Sequence, residues 1–229
     1  LVLWALHRSD VLISPTYYLI YNLRKFGLTR ADIKYVPLGV DVSIFEFHDR
    51  PLRQPVQFLH VGNLSPVKDQ VTLLKAFQLI SDRIACHLTI IGEGKLEKMI
   101  KAVAEELKIR EQITFLGLLP YSSLPACYHQ ADILLHTSLS EGHPIVVEEA
   151  MSSGVLVCGT RVGLLFDLPE CCVSVPVGDY DALASETLGL ISNPLRMKAL
   201  KKAAHEWSKA HSLNYTARQV SELYNNHSK

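Results

Sequence analysis

The sequence predicts an α/β protein built on a doubly wound parallel sheet, on three observations. Apolar runs of strand length, around residues 58–61, 88–91, 132–138 and 155–160, alternate with longer stretches of helical periodicity. The connecting turns carry glycine, proline or asparagine where a strand must hand over to a helix. The chain has 229 residues, 48% of them hydrophobic, enough to bury a full core with helices on both faces of a sheet.

In chain order, residues 1–45 read as the end of a helix, a strand, a helix and a second strand. Residues 46–55, EFHDRPLRQP, are polar and proline-bearing, as a linker is. A domain of 56–210 follows, and a last helix of 214–226 lies in a terminal segment, 211–229. Residues 58–80 read as a buried strand, a turn and a helix with apolar Val71, Leu74, Ala76, Phe77 and Ile80. Residues 88–107 give a strand, a Gly-Glu-Gly turn and a helix. Glycine at a strand's carboxyl end lets the backbone approach a ligand. A dinucleotide fingerprint is excluded, because Leu96 and Glu97 stand where its spacing should be completed by glycine. Asn193 is an expected helix cap, with Pro194 in the first turn of a basic helix through Lys201 and Lys202.

Residues 132–160 form a strand, loop, helix, strand unit, with Glu141 in the loop and Glu149 on the helix. Pro144 suits the first helical position, where a missing N–H costs nothing, and Gly154 the position past the last turn. The free N–H groups of residues 143 to 146 would then form an anion site. Glu149, about five residues into the helix, would stand roughly 7 to 8 Å from that end. A carboxylate there could accept hydrogen bonds from hydroxyls one sugar away from a bound phosphate. Glutamates eight positions apart also occur in helices where they merely complement the helix dipole.

Charge and cysteine usage narrow the partners. Lys plus Arg and Asp plus Glu both number 23, for a net charge of +0. A nucleic-acid binder needs a basic face to displace counterions, and this balance argues against one. No apolar run approaches the roughly 18 residues of a membrane-spanning helix, which leaves a peripheral membrane contact open. The five cysteines form no C-x-x-C pair, and the histidines do not cluster with them at metal spacing. Reduced core thiols in a cytosolic protein are expected, rather than zinc or a disulfide framework.

The run from Ser138 to Met151, S-x-x-E-G-x-P-x-x-x-x-E-A-M, closely resembles the E-x7-E signature of retaining glycosyltransferases of the GT-B fold, glycosyltransferase family 4. Further segments resemble the same family in the same order, from about residue 8 to the end. They are 58–80 ("VGRLxxxKG...LLxAF"), 88–107 ("xxIxGxG"), 113–138 ("xxFxGxVxxxxLxxxYxxADxxxxPS") and 159–194. The first 45 residues resemble the close of the family's amino-terminal domain, with Pro37, Gly39, Val40 and Asp41 at the crossing to the second domain.

The resemblance implies a carboxyl-terminal, donor-binding lobe with a remnant of an amino-terminal acceptor domain, most of which is missing, and a terminal helix packed back on that remnant. It implies transfer of a sugar from a nucleotide diphosphate sugar to an acceptor of unknown identity, with retention and without metal or cofactor. Glu141 and Lys68 are the implied catalytic pair: Glu141 binds the donor sugar's hydroxyls and stabilises positive charge on its ring, while Lys68 holds the diphosphate. Gly62, Asn63, Gly92, Gly142, His143, Pro144 and Ile145 are implied to line the donor site, Pro144 without an N–H to give. The backbone near Gly117, Leu118 and Leu119 borders the base and Glu149 binds the ribose.

Two departures stand out. Asn63 falls where the family usually has arginine, so a hydrogen-bond donor replaces a charge and a bidentate fork. Gly163, Leu164 and Leu165 replace a Gly-Gly-Ile-Pro-Glu run, and Pro169-Glu170 comes later. Plainer readings exist too: Lys68 as a solvated helix-start lysine, Leu118 and Leu119 as core. A non-catalytic lobe, a GT-B-like epimerase or phosphorylase, and a doubly wound domain without nucleotide are the alternatives for the whole chain.

Overall fold

The computed structural model describes residues 2–227; Leu1, and Ser228 and Lys229 at the close of the expected terminal segment, lie outside the described residues. The first unit is small: α1 (Val2–Arg8), β1 (Leu12–Ser14), α2 (Tyr17–Lys25) and β2 (Ile33–Tyr35), the two strands pairing in parallel. Thr16 starts α2 by accepting the amide of Leu19 through its hydroxyl.

The larger unit holds β3 (Val56–Val61), α3 (Gln70–Ser81), β4 (Cys86–Ile91), α4 (Glu97–Glu106), β5 (Ile113–Gly117), α5 (Leu124–Gln130), β6 (Ile133–His136), α6 (Ile145–Ser152), β7 (Leu156–Thr160), α7 (Leu164–Asp167), β8 (Val173–Val175), α8 (Tyr180–Ile191) and α9 (Pro194–Ala210). Its six strands pair in parallel in the order β5-β4-β3-β6-β7-β8. The chain builds outward from β3 through β4 to β5, then returns to lay β6 on the other side of β3. The reversal makes a topological switch point at the carboxyl ends of β3 and β6, the place where open α/β sheets bind ligands.

Side-chain alternation along the strands fills two cores. Phe58 of β3 and Ile133 and Leu135 of β6 face one layer, with Leu73, Leu74 and Phe77 of α3, Ile100 of α4 and Leu183 of α8. Leu59, Leu134 and Val157 face the other, with Tyr128 of α5, Val147 and Met151 of α6, and Phe45. A period of two with both faces apolar is what a sheet covered on both sides requires. Each fully buried Leu or Phe here contributes about 1.5 to 3 kcal/mol relative to exposure. On α3 the expected Leu74, Ala76, Phe77 and Ile80 are buried, joined by Thr72 and Leu73, while Val71 is only half-buried. The helix begins after Asp69, which caps it from a left-handed conformation.

Residues 46–55 are tied down at several points. Arg50 and Arg53 both pair with the fully buried Asp132 at the start of β6, and the Asp132 carboxylate also accepts the amide of Gln57 at 2.8 Å. Lys201 of α9 donates to the Arg50 carbonyl. Asn193 caps α9 by accepting the amide of Arg196 at 3.0 Å. Helix α10 (Leu213–His227) bonds back to the segment before residue 45, Leu213 N to Val40 O at 3.0 Å and the Thr216 hydroxyl to Pro37 O at 2.7 Å. Among the described residues no helix is long and apolar enough to cross a membrane.

Candidate active site

The switch point gathers residues from the loops after β3 and β6. A 3₁₀ turn, Pro66–Lys68, follows β3, so Lys68 is not a solvated helix-start lysine. Its Nζ donates to Glu141 Oε1 at 2.5 Å, with the two side chains 19% and 13% exposed. Backbone bonds hold the loops together: Leu139 N donates to Val67 O at 2.8 Å, and the Thr137 hydroxyl sits 3.0 Å from the carbonyls of both Lys68 and Asp69. Two residues 73 apart in sequence thus meet because parallel neighbours end at the same edge.

Glu141 is the centre of a polar cluster. Ser138 donates to the same Oε1 at 2.6 Å, and His136 Nε2 lies 3.4 Å away without hydrogen-bond alignment. Burial opposes the charge on Glu141, but His136, Lys68 and Ser138 outweigh it and hold the carboxyl at about 2. Burial pushes His136 the other way, toward the neutral ring, which leaves Lys68 as the cation beside Glu141. Behind it, His60 is completely buried, its Nδ1 3.0 Å from Leu135 O, and burial takes it down to about 4.

Glu149 lies deeper. It is 2% exposed, and its Oε2 accepts the Tyr128 hydroxyl at 2.7 Å. Burial raises its carboxyl above the ordinary range, against hydrogen bonds from Tyr128 and Tyr121. Its neighbour Glu148 is 0% exposed and pairs with His143, Nε2 to Oε2 at 2.7 Å. The helix starts one residue later than expected: Pro144 has extended backbone and is the cap, and Ile145 is the first helical residue. Of the first-turn amides of α6, that of Val147 bonds the Pro144 carbonyl at 3.0 Å, and those before it are the orphan N–H groups of a helix start.

The glycines serve two ends. A Cβ on Gly92 would lie 2.0 Å from Gly62 O, and one on Gly94 2.2 Å from Leu64 O, so these positions admit the neighbouring loop's backbone instead of leaving room for a ligand. Gly117 has open space around it. Leu118 is 66% exposed, which removes core packing as its role, and Leu119 is half-buried against the second core. Gly163 carries a left-handed φ of 54°, and a Cβ there would press on Pro144 Cδ at 2.7 Å and Glu141 Cβ at 3.1 Å. Asn63 is exposed, its carbonyl accepting from Gln70 at 2.9 Å.

The first unit docks directly on this turn. The Thr16 hydroxyl donates to Gly142 O at 2.8 Å, and His143 Nδ1 lies 3.3 Å from Pro15 O. Asp167 of α7 accepts the amides of Tyr17 and Tyr18 at 2.7 and 2.9 Å, holding the N-terminus of α2. Tyr18 and Tyr21 pack on Phe166. His136, Ser138, Tyr128, Thr16 and Asp167 were not singled out by sequence reasoning. Ser138, three residues before Glu141 in the signature run, and Tyr128, the tyrosine of the 113–138 pattern, carried a local signal; the others did not. Among the described residues no group of three or more His, Cys, Asp or Glu could hold a metal ion. The chain's Asp179-Tyr180-Asp181 triplet, an acidic pair of metal-binding type, forms a helix cap instead: Asp179 accepts the amide of Ala182 at 2.9 Å.

Comparison with known proteins agrees with this fold. The D-inositol 3-phosphate glycosyltransferase of Corynebacterium glutamicum (strain R) is 31% identical over 175 residues, 72% of this chain and 42% of its own. The amylovoran biosynthesis glycosyltransferase AmsK of Erwinia amylovora is 28% identical over 181 residues, 74% and 44%. The chain thus spans about half the length of the curated relatives it matches. Among solved structures, sucrose-phosphate synthase of Thermosynechococcus elongatus superposes with a TM-score of 0.85 at 22% identity, over 98% of this chain and 60% of that one. HepE of Anabaena, solved with UDP and glucose, gives 0.83 at 18% identity, over 97% and 65%. These likenesses show the GT-B fold. The model of the glycosyl transferases group 1 family matches residues 45–207, and the chain belongs to that family.

Proposed function

We propose that the chain is the nucleotide-sugar-binding lobe of a retaining, metal-independent glycosyltransferase, working with an amino-terminal domain that carries the acceptor site. The observation that carries this reading is the Lys68–Glu141 pair across the switch point, at the mouth of α6. Departure of a nucleoside diphosphate creates negative charge, which needs fixed positive potential where it develops. Lys68 and the first-turn amides of α6 supply that potential. Glu141, kept ionised by its neighbours, is suited to hold sugar hydroxyls and to stabilise positive charge on the ring. To Glu149, one helical turn further in, we assign the ribose hydroxyls, and to the backbone near Gly117 the base. Uridine diphosphate is the donor nucleotide to try first, since HepE was solved with it. Five free cysteines support a reducing, cytosolic setting, with a peripheral membrane contact as a further expectation.

The test is calorimetric titration of UDP and UDP-glucose into the chain, with and without chelator. Weak, chelator-insensitive binding is expected, and Lys68→Ala should cost about 2 to 4 kcal/mol, the scale of losing one preorganised charge. Loss of binding in chelator while Lys68→Ala binds normally would overturn the scheme. The chain alone should turn over little or no donor. A non-catalytic lobe is the second reading, favoured by the single observation that Asn63 brings no charge to the diphosphate.

A further inference from the structure

The hydrogen bonds around His143 are short of a proton. Nε2 faces a carboxylate oxygen of Glu148 at 2.7 Å, and Nδ1 faces the Pro15 carbonyl at 3.3 Å. Both partners are acceptors, and a neutral imidazole has one N–H to give. The two contacts are satisfied together only if the pair binds one more proton, on the ring or on the Glu148 carboxyl. Both side chains are enclosed, 1% and 0% exposed, and Glu148 Oε1 has no hydrogen-bond partner among the described residues. Water therefore cannot readily replace the missing donor.

We propose that His143 and Glu148 form a proton-sharing clasp that fixes the Gly142–Ile145 turn against the β1–α2 segment, making His143 a positioning residue. Its ring bridges α6 to Pro15, while Thr16 bonds Gly142 and Asp167 holds the amides of Tyr17 and Tyr18 alongside. The charged and titratable groups acting on the clasp are Glu149 on α6, Asp167 on α7 and Tyr35 on β2, which feels Asp167, Tyr17, Glu148 and, from α10, Tyr215. Without the shared proton, Nδ1 and Pro15 O are two acceptors facing each other and the turn loosens. The significance for donor binding rests on the function proposed above; the clasp itself does not.

Amide hydrogen exchange at Tyr17 and Tyr18, corrected for intrinsic rates, reads docking without any nucleotide. Glu148→Gln should keep wild-type protection, because the glutamine amide donates to Nε2 while Nδ1–H serves Pro15. Glu148→Ala should lower protection by about tenfold, the loss expected for a charge-assisted hydrogen bond. Nitrogen-15 spectra of the histidine rings should show His143 carrying a proton on Nδ1 in both the wild type and Glu148→Gln. A wild-type His143 with Nδ1 unprotonated, or Glu148→Gln behaving as Glu148→Ala, overturns the proposal. UDP affinity measured in parallel keeps its failure separate from a failure of the donor-site reading.

Discussion

Removing Lys68 tests the site most directly, because its ammonium serves Glu141 before any donor arrives. Glu141 has an ordinary value of 4.5 and is held at about 2. At 1.36 kcal/mol per tenfold, that difference is on the order of 3 kcal/mol of stability from all its partners together. The sign follows from a depressed carboxyl: the contribution is complete above about 4.5 and is lost as pH falls toward about 2. Ser138 at 2.6 Å and His136 at 3.4 Å stay in Lys68→Ala, so that variant should lose about 1 to 2 kcal/mol at neutral pH. Urea unfolding at several pH values measures it, and the gap between wild type and variant should close in acid. Glu141→Gln should also release Lys68 for the nucleotide, tightening UDP binding by up to about tenfold while weakening UDP-sugar discrimination. The reasoning is refuted if the stability gap does not change with pH, or if a double-mutant cycle of the two substitutions shows coupling below about 0.3 kcal/mol.

The remaining predictions concern neighbouring positions. Asn63→Arg should tighten UDP binding by about 1 to 3 kcal/mol, visible by calorimetry, if the exposed end of the β3 loop faces the diphosphate. In the full-length enzyme, Glu149→Ala should mainly raise donor KM, whereas Glu141→Ala should lower kcat by roughly 10²-fold or more; equal, purely KM defects in steady-state kinetics would contradict the assignment. Tyr128→Phe removes the hydroxyl donating to Glu149 and should cost about 1 to 3 kcal/mol. Because the Glu149 carboxyl already sits above its ordinary value, that cost should grow as pH rises from about 4 to 7, and denaturation at both pH values will show it.

The sequence by itself determined the parallel α/β architecture, because each strand's run of Ile, Leu and Val and each helix's period are local facts. The segment from Ser138 to Met151 likewise placed one glutamate in a loop and one on a helix without any coordinates. On α3 Leu74, Ala76, Phe77 and Ile80 are buried as expected, but Val71 is only half-buried and the buried Leu73 was missed. The Gly-Glu-Gly turn suggested space for a ligand, but its glycines take the backbone of the β3 loop, which a local pattern cannot register. Only the tertiary structure decided that Lys68 and Glu141 share a hydrogen bond, that His143 reaches Pro15 across 128 positions, and that Asp167 holds the first turn of α2. The reason is physical: strand order decides which loop ends meet, and that order is set by packing the whole sheet rather than by any stretch of residues within it.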